Sequence, residues 1–211
     1  EYKVDPLGMD EPWPRFGYRL EGDGKRQTSY RLEVRDGAGE TVFDSGVVKS
    51  AATVQLEYAG RPLRPFQRYR WTVEATDESG QSARSAEAFF ETGFMGTPWR
   101  AQWIAAFTGS ANQQPVRCLG KAFAAAKKIK SARLAISALG LHLAYLNGKA
   151  VSEDCLTPGW TDYYDRVQYQ VYDVAGLLKK GDNMLAVELA EGWYAGRIGR
   201  VWNHERPTFG E

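Results

Sequence analysis

The chain has 211 residues, 43% of them hydrophobic, enough to bury one large core or two ordinary ones. With 27 basic and 26 acidic residues its net charge is +1, which argues against nucleic acid as a partner, because phosphate recognition needs a basic face. No apolar run approaches the roughly 18 residues of a membrane span, and two cysteines, Cys118 and Cys155, are too few for a disulfide framework or a four-thiolate zinc site.

The first segment, residues 1–95, reads as a β-sandwich. Its opening, Asp5 to Pro14, holds three prolines that forbid regular helix and favour extended backbone. Glu1-Tyr2-Lys3-Val4 shows no signal-peptide pattern, which leaves the compartment open. Ser29 to Arg35 alternates, with Tyr30, Leu32 and Val34 on one face, and Asp36-Gly37-Ala38-Gly39 turns it into a second strand from Thr41 to Val48. Thr53 to Tyr58 alternates Val54, Leu56 and Tyr58. Tyr69 opens a further strand, followed by Trp71, Val73 and Ala75, and this placement resembles the tyrosine corner of immunoglobulin-like and fibronectin type III sandwiches. Ala88 to Thr92 closes the sheet, and about seven short strands fit such a module.

Gly93 to Pro98 reads as a linker. In the second segment, residues 96–211, Trp99 to Ile104 reads as a first strand and Thr108 to Pro115 as a polar loop. Lys121-Ala122-Phe123 begins a strand, and Ile129 to Leu139 supplies another with Leu134 and Ile136 pointing inward. Leu141 to Leu146 is a strand, and Asn147-Gly148 provides the two φ > 0 positions of a type I′ turn. An aromatic and acidic loop, Pro158 to Asp165, leads to a strand carrying Val167, Tyr169 and Val171. Asp173 is placed to cap one helical turn through Leu178, and Gly181-Asp182-Asn183 turns the chain into a strand carrying Leu185, Val187 and Leu189. The chain is therefore expected to be all-β, two β-sandwich domains in tandem.

The order LNGK, LTPGWTDY, YDV and GWYAG resembles the β-sandwich accessory domain of bacterial α-L-rhamnosidases, glycoside hydrolase family 78. The opening DPLGMDEPWPRFGY resembles the start of the same enzymes, so the resemblance runs nearly end to end. It implies a fibronectin-like domain over residues 1–95 and a jelly-roll accessory domain over 96–211. In such relatives the catalytic carboxylates sit on a downstream helical barrel. No helical pattern here is long enough for that barrel, so the region is expected to be non-catalytic, with the catalytic domain of the same polypeptide as its partner.

A jelly roll needs about eight strands, and only five or six can be counted between Trp99 and Gly196. The unfinished sheet leads to an expectation of an open edge and of homo-oligomers, with Arg200 to Glu211 as a truncated or exchanged tail.

Acids that could act in hydrolysis are Asp154, Asp162, Asp165, Glu188 and Glu191. Solvated loop and strand-edge roles suit them better. His142 and His204 lie in no nucleophilic motif, and Gly196 and Gly199 do not form a phosphate loop. A buried, free state is expected for both cysteines. Carbohydrate binding is the functional candidate: Trp160, Asp162 and Tyr163 in one loop, with Glu191, Trp193 and Tyr194 after a neighbouring strand, offer aromatic platforms beside carboxylates for rhamnose-containing glycans. Some relatives resemble calcium-dependent rhamnose-binding modules, and Glu191 could ligate calcium, although no full ligand set can be assembled. Where the family often has Gly-Asn-Gly-Trp, this chain has Ala190-Glu191-Gly192-Trp193. A stand-alone carbohydrate-binding module and a tandem adhesion or interaction module are the alternatives.

Overall fold

A computed structural model of the chain describes residues 3–22, 26–106 and 116–195. Two compact units divide at Ala101/Gln102. Among the described residues all the regular structure is β apart from one short 3-10 turn and one helical turn.

In the first unit the strands are β1 (Arg15–Phe16), β2 (Gln27–Arg35), β3 (Thr41–Asp44), β4 (Leu56–Glu57), β5 (Arg68–Asp77), β6 (Ser82–Arg84) and β7 (Ala88–Glu91). A five-stranded antiparallel sheet runs β3-β2-β5-β6, with β7 also paired to β5, and β1 pairs with β4. Alternation decides the facing of β2: Leu32 and Val34 are buried, while Arg31 and Arg35 face solvent. Leu32, Val34, Tyr69 and Phe90 from the larger sheet meet Phe16 and Leu56 from the smaller, and Phe16 lies 4.9 Å from the Trp71 ring. Two layers around one core make the sandwich.

The turns form where their chemistry asks. Asp36 Oδ1 accepts from the Ala38 and Glu40 amides, and Gly39 takes a φ of 89°. Tyr69 is buried, and its hydroxyl accepts from the Arg64 amide at 2.8 Å, the bond that defines a tyrosine corner. The proline-rich opening straps the free side of β7. Asp5 Oδ1 accepts from the Phe89 amide, Glu91 N donates to Pro6 O, Met9 N donates to Glu91 O, and Gly93 N donates to Met9 O. Of the strand expected over Thr53 to Tyr58, only Leu56–Glu57 pairs. Gln55 adopts a φ of 60° and Val54 turns outward, which interrupts the alternation.

The second unit holds β8 (Arg117–Ala125), β9 (Arg133–Ile136), β10 (Leu141–Leu146), β11 (Lys149–Ala150), β12 (Gln170–Asp173) and β13 (Gly181–Ala190). They form a four-stranded antiparallel sheet, β11-β10-β13-β8, and a pair, β12-β9. Asn147 and Gly148, at φ 53° and 80°, make the expected turn after β10. The side chain of Asn147 adds a bond the turn alone does not need. Its Nδ2 donates to Leu177 O and to Asn183 Oδ1, and its Oδ1 accepts from the Met184 amide. Asn183 is 3% exposed and also bonds Lys179 N, Lys179 O and Gly181 O. The two asparagines thus tie both turns of the sheet together.

Several expectations need correction. Trp99 to Ile104 forms no strand, and Trp99 stacks on Phe94 at 4.2 Å within the first unit. Val167 and Tyr169 precede β12 rather than forming it. The helical turn is a 3-10 turn over Ala175–Leu177 with Val174, not Asp173, at the cap position, although Asp173 Oδ1 still accepts from Ala175 N. Cys118 and Cys155 are free but exposed, because Cys118 lies on the outer face of the edge strand β8 and Cys155 in a surface loop. The loop at Thr108 to Pro115 and the tail from Arg200 lie outside the described residues.

Candidate functional site

The aromatic loop leaves β11 and returns at β12, and its ends are pinned. His142 N donates to Thr157 O at 2.9 Å, Thr157 Oγ1 donates to His142 O at 2.8 Å, and Gln170 Nε2 donates to Pro158 O at 3.0 Å. Its tip is a turn: Asp162 O accepts from the Asp165 and Arg166 amides, Asp162 Oδ1 accepts from Tyr164 N, and the buried Thr161 donates to Arg166 O. Asp162 is therefore committed on one carboxylate oxygen to shaping the loop.

This scaffold divides the candidate residues. Trp160 is 66% exposed and Tyr164 82%, with exposed Leu156 on the same loop. Tyr163 turns inward, its ring edge-on to Tyr194 with centroids 5.4 Å apart, and burial pushes its phenol pKa up. Tyr163 and Tyr194 are thus brought together as an anchor. Trp160 and Tyr164 form the outward face. Glu191 and Trp193 are half-buried beside the end of β13, where Gly192 takes a φ of 57° and begins the single helical turn, α1 (Gly192–Ala195). A Cβ on Gly192 would come within 2.8 Å of Leu141 Cγ, so glycine before the Trp-Tyr pair is a packing requirement.

Three of the other acids are occupied in structure. Asp154 Oδ2 accepts from the Tyr172 hydroxyl at 2.8 Å, Tyr145 donates weakly to Glu188 at 3.4 Å, and Asp173 pairs with Arg133 at 2.9 Å. Asp165 is exposed at the loop tip. Among the described residues no three His, Cys, Asp or Glu side chains gather as metal ligands. A cleft between β10 and the loop root is lined by His142, Tyr145, Ser152, Asp154, Thr157 and Tyr172. Its space of about 30 Å3 suits a water or two rather than a sugar ring.

Two residues escape a sequence reading. Tyr164 looks no different from Tyr163 until the turn at Asp162 sends one ring out and the other in. His142 gives no signal, because its partners Thr157 and Gln170 meet it only through the fold.

Fold and loop together define a class: an immunoglobulin-like sandwich followed by a second antiparallel β-domain that displays a pinned aromatic loop. The Rha78A-like N-terminal immunoglobulin domain model matches residues 1–96, and the α-L-rhamnosidase N-terminal domain model matches residues 127–211. The chain belongs to the α-L-rhamnosidase family, as its N-terminal two-domain region. It is 31% identical over 224 residues to an α-L-rhamnosidase of Alteromonas sp. strain LOR, covering 97% of this chain and 24% of the relative. Against the Streptomyces avermitilis α-L-rhamnosidase it is 43% identical over 387 positions, covering 99% of the chain and 38% of the relative. The solved α-L-rhamnosidase of Dictyoglumus thermophilum superposes with a TM-score of 0.82 at 33% identity, over 92% of this chain and 24% of that one. An Aspergillus terreus α-L-rhamnosidase gives 0.79 at 28% identity, over 97% and 24%. The chain thus spans about a quarter of the length of most of these relatives.

Proposed function

We propose that the chain is the non-catalytic N-terminal region of an enzyme that releases terminal L-rhamnose from rhamnosides, with the second module, residues 96–211, presenting Trp160 to sugar. The observation that carries this reading is the exposure of Trp160 on a loop held at both ends. An indole spends little conformational entropy in binding when its backbone is already fixed, and it offers an apolar plane to the methyl-bearing face of rhamnose. The free oxygen of Asp162 lies in the same loop for a sugar hydroxyl. Asp154, Glu188 and Asp173 are taken up by Tyr172, Tyr145 and Arg133, which supports assigning the hydrolytic carboxylates to another part of the enzyme.

Calorimetric titration of the chain with L-rhamnose, in calcium and then in chelator, tests the reading. Expected is heat at millimolar sugar that disappears in Trp160→Ala and is unchanged by chelator. Turnover of an aryl α-L-rhamnoside by the chain alone would refute the non-catalytic assignment.

A second reading has its own support. Leu156, Trp160 and Tyr164 are each exposed on this one loop, which suits docking on the catalytic domain of the same polypeptide. Protection of Trp160 in a full-length enzyme, without any rhamnose binding, would favour it. The outer edge of β8 has no strand partner among the described residues, and pairing there would make homo-oligomers, visible as a concentration-dependent mass in light scattering.

A further inference from the structure

The buried imidazole of His142 has no role in the reading above. It is 3% exposed, on β10, with Thr157 and Gln170 as its side-chain neighbours. Thr157 Oγ1 lies 3.5 Å from Nδ1, but its own proton goes to His142 O at 2.8 Å. Gln170 directs its amide nitrogen to Pro158 O, which leaves Oε1 as the atom available to the ring. His142 Nε2 and Gln170 Oε1 are both buried and neither finds a well-formed hydrogen bond. Both ring nitrogens therefore look toward acceptors, while a neutral imidazole has a single N–H to give.

We infer that His142 is a positioning residue for the Trp160 loop, a latch that holds the loop root while the ring is neutral and releases it when the ring takes a second proton. The chain of contacts is short. His142 N donates to Thr157 O and Thr157 Oγ1 donates to His142 O at one end of the loop, and Gln170, the ring's other side-chain neighbour, holds Pro158 O two residues before Trp160. A charged ring in this place would be desolvated, and that cost exceeds what the Gln170 carbonyl returns, so the pKa of His142 is held below its ordinary value.

The other charged and titratable groups around it are few. Arg117 on β8 lies two strands away in the same row of the sheet, beyond Leu189. Asp154 and Tyr172 line the adjoining cleft but are bonded to each other, and Tyr145 lies there too. Protonation is then easiest when the root opens and water reaches the ring. The opening equilibrium should grow by up to about tenfold per pH unit as pH falls below about 6.5.

That the latch governs sugar capture rests on the carbohydrate reading; that it holds the loop does not. The experiment separates them. With two histidines in the chain, the His142 ring signals can be assigned by loss in His142→Gln and followed by NMR from pH 8 to 5, together with the Trp160 indole resonance. Expected is a His142 midpoint below 6.5, with the Trp160 signal and the intrinsic-rate-corrected amide exchange of residues 156–166 moving at the same midpoint. Gln170→Leu, which removes the acceptor that favours the charged ring, should lower that midpoint further and loosen the loop at neutral pH. A His142 midpoint at or above 6.5, or a Trp160 environment indifferent to it, overturns the latch. If the latch titrates as expected but L-rhamnose gives no heat at pH 8 or pH 5, the latch stands and the sugar reading falls.

Discussion

Single side chains in this molecule act mostly by closing backbone turns, and their loss should register as stability rather than activity. Removing the hydroxyl in Tyr69→Phe deprives the buried Arg64 amide contact of its acceptor, and a loss of about 1 kcal/mol is expected in urea unfolding. Asn183→Ala is more severe, because it strips partners from Lys179 N and O, Gly181 O and Asn147 at once. About 2 to 3 kcal/mol is expected, read from the same midpoints. Asp44 tests the acid side. The Arg31 guanidinium, followed by the Gly46 amide, pulls its pKa from 3.8 to about 2. The carboxylate therefore stabilises the fold fully above about pH 4, and that contribution is lost as pH falls toward 2. Asp44→Asn should flatten this limb of a melting-temperature profile while leaving unchanged whatever His142 contributes below pH 6.5.

At the scale of elements, glycines decide where strands can end. A Cβ on Gly140 would lie 1.9 Å from Ala190 O, and one on Gly192 would meet Leu141 while its backbone holds a φ of 57°. Gly140→Ala should therefore separate the start of β10 from the end of β13. The expected sign is loss of the Tyr163–Tyr194 contact, seen as altered tyrosine ring shifts, before the first unit shows any change. This level also shows what sequence can carry. The Asn147-Gly148 turn, the Asp36 loop, the limits of β10 and the corner at Tyr69 are legible, since each depends on neighbours a few residues away. The facing of Trp160, Tyr163 and Tyr164 is not, because the turn that sorts them is pinned from β10 and β12. Trp99 illustrates the same limit from the other side: its apolar surroundings resemble a strand, yet the ring of Phe94 offers a better surface. Exposure of Cys118 likewise follows from β8 being an edge, which no local pattern announces.

Across the whole molecule, burial is uneven. The first unit has a contiguous buried cluster from Phe16 to Phe90, whereas among the described residues of the second the buried apolar side chains are Ala138, Leu146 and Val174. Stability follows such burial, so amide exchange should be slowest in β2 and β5 and clearly faster in β8 and β9, and calorimetry should resolve two transitions with the second unit melting first. A single transition with uniform protection would contradict that division. The strap formed by Asp5 to Met9 along β7 bears on a different matter, the handling of the protein by proteases. Trypsin acting at Lys3 leaves the strap in place, and no other basic residue occurs before Arg15. A cut at Arg15 would release the strap and uncover Phe89 and Glu91 as a bare strand margin, so a nick of a dozen residues could convert a well-behaved sample into one that sticks to itself.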